Sequence, residues 1–147
     1  MKTRGQTALE RLNIPHTVHW YDHKEKGAEF AAAATGIPLH QMIKTLVVVD
    51  DRGRNFAFML LPGDLALSLK SAAKAMGWRK ARLSTIPEAE RLTGYQVGGI
   101  SPFGARRTLP VCIHEALTRL ETVGINGGAR GCIVQLATEH LLKAISP

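Results

Sequence analysis

Two glycine-rich segments are the parts of the sequence whose residue types could most readily support chemistry. Segment 94–104 reads GYQVGGISPFG, and segment 126–131 reads NGGARG. Glycine leaves the backbone N–H groups open to close approach by a ligand, and such donors can hold a developing oxyanion. A plain connection between strands would also explain these glycines, so they indicate a site only together with other features.

Lys44 is a third candidate, because it lies at the start of the apolar run 43–49. An ammonium group that enters a buried strand is costly unless it reaches a partner or a cleft. The simpler interpretation is an edge lysine with a buried aliphatic stem and a charge that reaches water. The residues alone leave both interpretations open.

Several familiar catalytic patterns do not occur in the sequence. Ser101 sits in a segment that resembles a nucleophile elbow, but Phe103 stands where that motif requires glycine, so we do not expect a serine nucleophile. Segment 126–131 does not match a dinucleotide-binding fingerprint, because Asn126 stands where that motif requires its first glycine. No HExxH or CxxC motif is present, so we expect no metal site and no cofactor.

The composition is that of one globular domain with a basic surface. The 147 residues are 45% apolar and 21% charged, and the formal net charge is +7. This charge favours polyanionic partners, although a basic surface kept for solubility is an equally good explanation. The N-terminal segment 1–12 is polar and no apolar run has the length of a membrane span, so we expect a cytoplasmic protein.

Periodicity, capping residues and turn residues predict the elements that must position these candidates. Helices are predicted at 6–12, 28–35, 68–76, 88–92 and 138–145. Strands are predicted at 17–21, 43–49, 55–61, 109–113, 121–125 and 131–136. Ser68 and Thr138 are the expected N-caps of their helices, and Asp50 and Asp51 are expected to be solvated in a hairpin turn.

The order of these elements predicts the fold class. Helices and strands are intermixed, with hairpin-like neighbours rather than regular βαβ alternation. This arrangement favours a single α+β domain over residues 1–147 with a mixed, mainly antiparallel sheet.

Three stretches taken together resemble a known family. They are Thr93–Gly104, the triplet Lys44-Thr45-Leu46 and the loop 127–131, which occur in the order and spacing of the YbaK/EbsC branch of the prolyl-tRNA editing-domain superfamily. The first stretch is highly specific, whereas the lysine triplet alone would be a weak signal. The resemblance covers nearly the whole chain.

The resemblance implies both a fold and an activity. It implies a curved, barrel-like sheet with flanking helices, and hydrolysis of the ester that joins an amino acid to the 3′-terminal adenosine of tRNA. The usual substrate of this branch is cysteine attached to tRNA(Pro). Because these enzymes act in trans, mischarged tRNA is the expected partner, and prolyl-tRNA synthetase is a further one.

The resemblance also assigns residues to a site. Lys44 matches the family's functional lysine, which is expected to bind the 3′ end of the tRNA, and Gly98 and Pro102 match the ends of its GxxxP loop. We therefore predict Lys44 and Gly98 as catalytic residues. Substrate-binding roles are predicted for Tyr21, Thr45, Gly99, Ile100, Ser101, Pro102, Asn126, Gly127, Gly128 and Arg130.

Three departures from the family pattern bear on the choice of substrate and on RNA contact. Asn126 stands where cysteine-specific relatives commonly have serine, Ile133 where some carry an acidic residue, and Ala129 replaces a basic residue. A deacylase for alanine or serine is therefore one alternative. A non-catalytic module that binds tRNA or a synthetase is another, and a small-molecule hydrolase is a third.

The residues and the resemblance together suggest a mechanism. Since no protein nucleophile, base or metal set stands out, we predict catalysis by substrate positioning and backbone stabilisation of the oxyanion. A cysteinyl substrate carries a thiol that can attack its own ester carbonyl, which removes the need for a nucleophile from the protein.

Overall fold

Seven strands and six α-helices make up the fold in the computed structural model, which describes residues 2–146. The strands are β1 (Thr17–Trp20), β2 (Ile43–Asp50), β3 (Phe56–Pro62), β4 (Ala81–Leu83), β5 (Val111–Ile113), β6 (Thr122–Asn126) and β7 (Cys132–Ala137). The helices are α1 (Arg4–Arg11), α2 (Ala28–Thr35), α3 (Leu69–Met76), α4 (Ile86–Thr93), α5 (Glu115–Thr118) and α6 (Thr138–Ile145). A short 3₁₀ turn, Leu39–Gln41, precedes β2.

The strands form two sheets that are mainly antiparallel. One has the order β1-β7-β6 and is antiparallel throughout. The other has the order β4-β2-β3-β5, in which only β3 and β5 are parallel. A bridge between Met42 and Gly124 connects the sheets at the start of β2. The predicted α+β fold is confirmed, but the two sheets do not close, so "barrel-like" describes them only loosely.

The hairpin of β2 and β3 forms as the sequence predicts, but its turn is not simply solvated. Asp50 is 95% buried, with 5% of its surface exposed. Its carboxylate accepts hydrogen bonds from the backbone N–H groups of Arg54 and Asn55 and from the Asn55 side chain, at 2.9, 3.1 and 2.7 Å. The Asn55 side chain and these N–H groups lower the pKa of Asp50 to about 2. The acid is therefore a structural part of the turn.

Two helices next to this sheet begin and end at classical capping residues. Ser68 accepts from the backbone N–H of Ser71 and caps α3, as predicted, and Gly77 ends that helix. For α4, Thr85 and Glu88 form a reciprocal capping box, so the helix starts two residues earlier than the predicted 88.

The predicted cap of α6 is wrong. Ala137 is the N-cap, and Thr138 is already the first helical residue, with its hydroxyl buried and without a hydrogen-bond partner among residues 2–146. The extended backbone of β7 ends at Ala137, and the helix follows at once, so Ala137 and not Thr138 takes the cap position.

The largest apolar cluster holds the two sheets and three helices together. Leu9 of α1, Leu117 of α5 and Leu141 of α6 are each 0% exposed and pack with residues of both sheets. Truncation of such a leucine to alanine typically costs about 2–5 kcal/mol. This core fixes the ends of β2, β6 and β7, which carry the candidate site residues. No helix within residues 2–146 has the length and apolar character needed to span a bilayer.

Candidate active site

A cleft of about 560 Å³ opens where the two glycine-rich segments meet the first half of β2. Its other walls come from segment 21–28 and from the start of α4. Seven predicted site residues line it: Tyr21, Lys44, Thr45, Gly98, Ile100, Asn126 and Arg130. Five others are not part of its wall: Gly99, Ser101, Pro102, Gly127 and Gly128. The structure thus brings together residues that are up to 109 positions apart, from Tyr21 to Arg130.

The two glycine segments touch through their backbones. A Cβ atom on Gly99 would lie 2.7 Å from the carbonyl carbon of Ala129 and from the nitrogen of Arg130. Only glycine fits at this contact, since a side chain would push the segments apart. Gly99 therefore lies outside the cleft wall, where it allows the two segments to pack together.

Asn126 fastens the same two segments with its side chain. Its amide Nδ2 donates to the carbonyls of Gly98 and Ala129, each at 3.1 Å. Its Oδ1 accepts from the N–H groups of Gly128 and Ala129, at 2.7 and 3.2 Å. An asparagine side chain has two N–H donors and two good acceptor positions, so all four are in use. Asn126 positions the loop and has no spare donor for a substrate.

Gly98 offers a backbone donor at the cleft. Its φ of 95° lies in the region that favours glycine. The N–H of Gly99 donates to the carbonyl of Gln96 at 2.8 Å, whereas the N–H of Gly98 has no partner within residues 2–146. The loop can therefore donate one hydrogen bond to a ligand at Gly98.

Neither Ser101 nor Cys132 lies in the wall of the cleft. Ser101 is 0% exposed, and its hydroxyl accepts from the N–H of Phe103 at 3.2 Å. Tyr95 donates to the Phe103 carbonyl from the other side and fixes this turn. Cys132 is buried, and burial raises the pKa of its thiol to about 11. Neither side chain is placed or activated as a nucleophile.

Thr45 carries a buried hydroxyl without a hydrogen-bond partner in the described chain. Such groups are uncommon in folded proteins, because an unmade hydrogen bond costs about 1–3 kcal/mol. Thr138 has the same property but lies at the start of α6, outside the cleft wall. Thr45 belongs to the cleft wall, but its hydroxyl oxygen is itself buried, so a ligand would have to displace neighbouring atoms to bond to it.

Lys44 reaches the cleft from the neighbouring position on β2. Its side chain is half-buried, and Nζ donates to the backbone carbonyl of Leu65 at 2.7 Å. An ammonium group has three donors, so two remain for a ligand. The buried stem and the exposed charge combine features of both interpretations that the sequence left open.

Further cations stand beside Gly98. The stems of Lys26 and Arg130 would both contact a Cβ atom on Gly98, at 3.5 and 3.3 Å. Arg130 Nε donates to the carbonyl of Val97 at 2.9 Å, which holds its guanidinium against the glycine loop. The mouth of the cleft is therefore positively charged, as binding of a phosphate group requires.

The floor of the cleft is apolar. Ile133 is 3% exposed and packs with Ala31 and Met42 beneath the cleft. Tyr21 packs against Phe30 with 6.1 Å between the ring centroids, and burial raises the pKa of its phenol. A small apolar side chain would fit this surface.

No local pattern in the sequence predicts three further residues of the cleft wall. Lys26 lies in the exposed segment 21–28, which has no periodic pattern, and Leu83 and Ile86 flank the short turn between β4 and α4. The two apolar side chains are 49% and 58% exposed, which is unusual for residues of their size. Their place at the cleft is a result of the β2–β4 pairing.

An α+β domain with a cationic cleft, a free backbone donor and buried thiol and serine groups fits the class of hydrolases that act by positioning an anionic substrate. The chain belongs to the aminoacyl-tRNA editing domain family, whose model matches residues 23–144. The predicted resemblance and the enzyme class, an aminoacyl-tRNA deacylase, are confirmed at the level of the family.

Individual relatives agree with this assignment. The chain is 30% identical to the "Putative Cys-tRNA(Pro)/Cys-tRNA(Cys) deacylase EbsC" of Enterococcus faecalis, over 97% of this chain and 87% of that protein. It is 28% identical to a proline–tRNA ligase of Trichlorobacter lovleyi, of which it covers 25%. A solved structure titled "a putative trans-editing enzyme for prolyl tRNA synthetase" superposes with a TM-score of 0.87 at 29% identity, covering 97% of this chain and 90% of the other.

Proposed function

We propose that this protein removes cysteine from mischarged tRNA(Pro) in trans. The observation that carries the proposal is the cleft itself, in which a free Gly98 N–H, an orphaned Thr45 hydroxyl and the Lys44 ammonium surround an apolar floor. The name of the Enterococcus relative supports cysteine as the amino acid, and the similar segment within a proline–tRNA ligase supports tRNA(Pro). The reaction would take place in the cytoplasm, beside prolyl-tRNA synthetase, which supplies the substrate.

Each group has a role in this proposal. The two free donors of Lys44 bind the ribose or phosphate of the 3′-terminal nucleotide and orient the ester. The N–H of Gly98 donates to the carbonyl oxygen of the ester and stabilises the negative charge that develops there. The Thr45 hydroxyl completes its missing hydrogen bond with the aminoacyl group.

The substrate supplies the nucleophile. The cysteinyl sulfur attacks its own carbonyl carbon, the bond from that carbon to the ribose oxygen breaks, and the thiol proton passes to the ribose oxygen. The products are tRNA and a cyclic thiolactone, which water opens to free cysteine. Aminoacyl esters are already activated, so positioning by the cleft suffices.

Thiol chemistry also explains how such a simple cleft selects its substrate. A pocket that senses only size discriminates by about 1–3 kcal/mol per methylene, which separates cysteine poorly from alanine or serine. Asn126 raised the alternative of a different amino acid, but its side chain is saturated by Gly98, Gly128 and Ala129. A seryl substrate would therefore gain no hydrogen bond from it.

The test is deacylation of cysteinyl-, alanyl- and seryl-tRNA(Pro) by the wild-type protein. We expect fast loss of the cysteinyl ester, with a thiolactone trapped by a strong amine nucleophile during the reaction. Fast loss of the alanyl or seryl ester instead would replace the substrate. Binding of tRNA without any deacylation would support the non-catalytic module and overturn the proposal.

A further inference from the structure

Four arginines from three parts of the chain gather at the C-terminal end of α4. They are Arg4, Arg91, Arg106 and Arg107, here called the arginine cluster, and all four are exposed. No carboxylate within residues 2–146 forms an ion pair with any of them, although six other ion pairs are present in that range. The cluster lies outside the wall of the cleft.

The last turn of α4 fixes three members of the cluster. The backbone N–H groups of Arg106 and Arg107 donate to the carbonyls of Thr93 and Leu92, at 2.8 and 3.0 Å. The Arg106 guanidinium reaches the carbonyl of Arg91 at 3.4 Å. These bonds satisfy carbonyls that a helix end leaves open, and they hold the three arginines side by side.

Arg4 joins the cluster from α1. Its guanidinium donates to the carbonyl of Gly104 at 2.7 Å and lies 5.3 Å from the centre of the Tyr95 ring. Arg4 and Arg106 also flank Gly94, since both would contact a Cβ atom placed there. The fourth charge is therefore anchored to the glycine loop that reaches the cleft.

Electrostatics within the domain do not balance this concentration of charge. The helix end carries about half a negative charge, which favours one nearby cation but not four. The guanidinium groups of Arg91 and Arg107 donate to no group within residues 2–146, so most of their donors are free for a partner. Like charges at such spacing repel each other, and an anionic partner would relieve this repulsion.

The cluster and the cleft are joined by the same rigid elements. Helix α4 begins at Ile86, which lines the cleft, and ends at Thr93 beside the cluster. The seven steps from Ile86 to Thr93 along the helix span roughly 10 Å. One strand of a nucleic acid helix advances about 3.4 Å per nucleotide, so this distance corresponds to about three nucleotides.

We propose that the arginine cluster binds backbone phosphates of the tRNA acceptor end, a few nucleotides before the terminal adenosine in the cleft. Guanidinium groups suit this role because their planar donors match phosphate oxygens in pairs. This inference rests on the proposed function, since it places the 3′ end in the cleft. An acidic protein surface is the competing partner, and the test below separates the two.

The test compares two triple variants that lose the same charge. R91Q/R106Q/R107Q removes three arginines of the cluster, while Arg4 is kept because it anchors Gly104 and Tyr95. K70Q/K74Q/K80Q removes three exposed lysines from α3 and the turn that follows it, none of which forms an ion pair with another of residues 2–146. Binding of uncharged tRNA is measured across a series of salt concentrations, and thermal unfolding checks that both variants fold.

We expect the cluster variant to bind tRNA about ten- to a hundredfold more weakly, with the slope of log affinity against log salt reduced by about 2 to 3. The lysine variant should lose clearly less. Equal tRNA binding by wild type and the cluster variant would overturn the inference and favour a protein partner. An equal loss in both variants would overturn it in favour of a non-specific effect of total charge. If the triple variant unfolds, Arg107→Gln alone should reduce the slope by about 1.

A deacylation measurement separates this inference from the proposed function. The full cysteinyl-tRNA(Pro) is compared with cysteinyl-adenosine, a single nucleoside ester that can fill the cleft but is too short to reach the cluster. The deacylation rate of the full tRNA, divided by that of the short ester, should be smaller for the cluster variant than for wild type. This ratio is the advantage of the full tRNA. If wild type hydrolyses neither ester, the proposed function fails, while the tRNA-binding result still decides for or against the cluster. If the advantage is unchanged in the variant, the inference fails alone.

Discussion

At the residue scale, the clearest signature of a ligand is a hydrogen bond that the protein does not make for itself. Thr45 and Thr138 both bury a hydroxyl without a partner in the described chain, but only Thr45 lines the cleft. An unmet polar group is a cost to stability, and at a binding site that cost is recovered when the ligand arrives. The two threonines therefore form a natural pair for a test.

Thr45→Val should leave the fold intact or stabilise it by about 1 kcal/mol, because the orphaned hydroxyl is removed at nearly constant volume. The same change should raise KM or lower kcat for the cysteinyl ester about tenfold, since one substrate hydrogen bond is lost. Chemical denaturation and steady-state deacylation measure the two effects. Thr138→Val is the matched control, and it should stabilise the fold without a change in activity. Equal activity in both variants would contradict a substrate contact at Thr45.

Asn126 supports a second prediction at this scale. Asn126→Asp keeps the acceptor but turns an oxygen toward the carbonyls of Gly98 and Ala129, so two hydrogen bonds become repulsive. We expect stability to fall by about 1–3 kcal/mol and kcat to fall about 10- to 100-fold as the Gly98 loop shifts.

A change in the β2–β3 turn provides the control for Asn126. Asn55→Asp disturbs the Asp50 carboxylate and should also destabilise the fold, but Asp50 lies at the far end of β2, five residues beyond Thr45. Its kcat per folded molecule should stay at the wild-type value. A similar loss of kcat in both variants would indicate general destabilisation rather than displacement of the loop.

At the scale of elements, two carboxyl groups with lowered pKa values make the β2–β3 and β4–α4 regions sensitive to acid. The Asn55 side chain is the main cause for Asp50, and the paired hydrogen bonds from Arg82 are the main cause for Glu88; each lowers the pKa of its carboxyl to about 2. A carboxyl whose pKa is lower in the folded state stabilises the fold above its unfolded pKa, and this contribution is lost as pH falls toward the folded pKa.

We therefore predict that the free energy of unfolding is steady near neutral pH and falls as the pH drops from about 4.5 to about 2. Denaturant titrations across this range measure it. Asp50→Asn should be less stable than wild type at pH 7 and should show a shallower fall in acid. Asp51→Asn, which loses only the exposed contact with Arg79, should follow the wild-type curve. A wild-type profile that is flat to pH 2 would contradict this account.

The observed helices and strands also show which limits the local sequence predicts and which it does not. Helix α2 has the predicted limits, 28–35, because an alanine-rich run ends at Gly36. Strand β4 was not predicted, since three residues carry no measurable period and the strand exists only through its pairing with β2. Thr138 was misassigned because the length of β7 is set by its partners β1 and β6 and not by the local sequence.

For the whole molecule, the sequence predicts residues that the fold brings to one cleft, but it does not predict the contacts between them. Seven of the twelve predicted residues line the cleft. The bond from Asn126 to Gly98 and the approach of Lys26 to Gly98 join positions that are 28 and 72 apart in the chain, and no local pattern encodes them. The same is true of the arginine cluster, whose members lie in α1, α4 and the loop that follows the glycine segment.

The structure shows where part of the excess positive charge lies. A net charge of +7 was compatible with solubility alone. The structure groups cations at the cleft mouth, at Lys26 and Arg130, and again at the end of α4. Two separate cationic groups, one at the cleft and one at the end of α4, suit an extended anion, and they favour a polynucleotide over a small ester.

Single-turnover deacylation of cysteinyl-tRNA(Pro) by Lys44→Ala shows whether the cleft lined by Lys44 carries out the hydrolysis. Lys70→Ala, at an exposed lysine of α3, is the matched control for loss of one charge. We predict that the rate falls about 100-fold or more in Lys44→Ala, because the ester is no longer oriented, and stays near the wild-type value in Lys70→Ala. Equal rates for wild type and Lys44→Ala, with both proteins folded, would contradict the account.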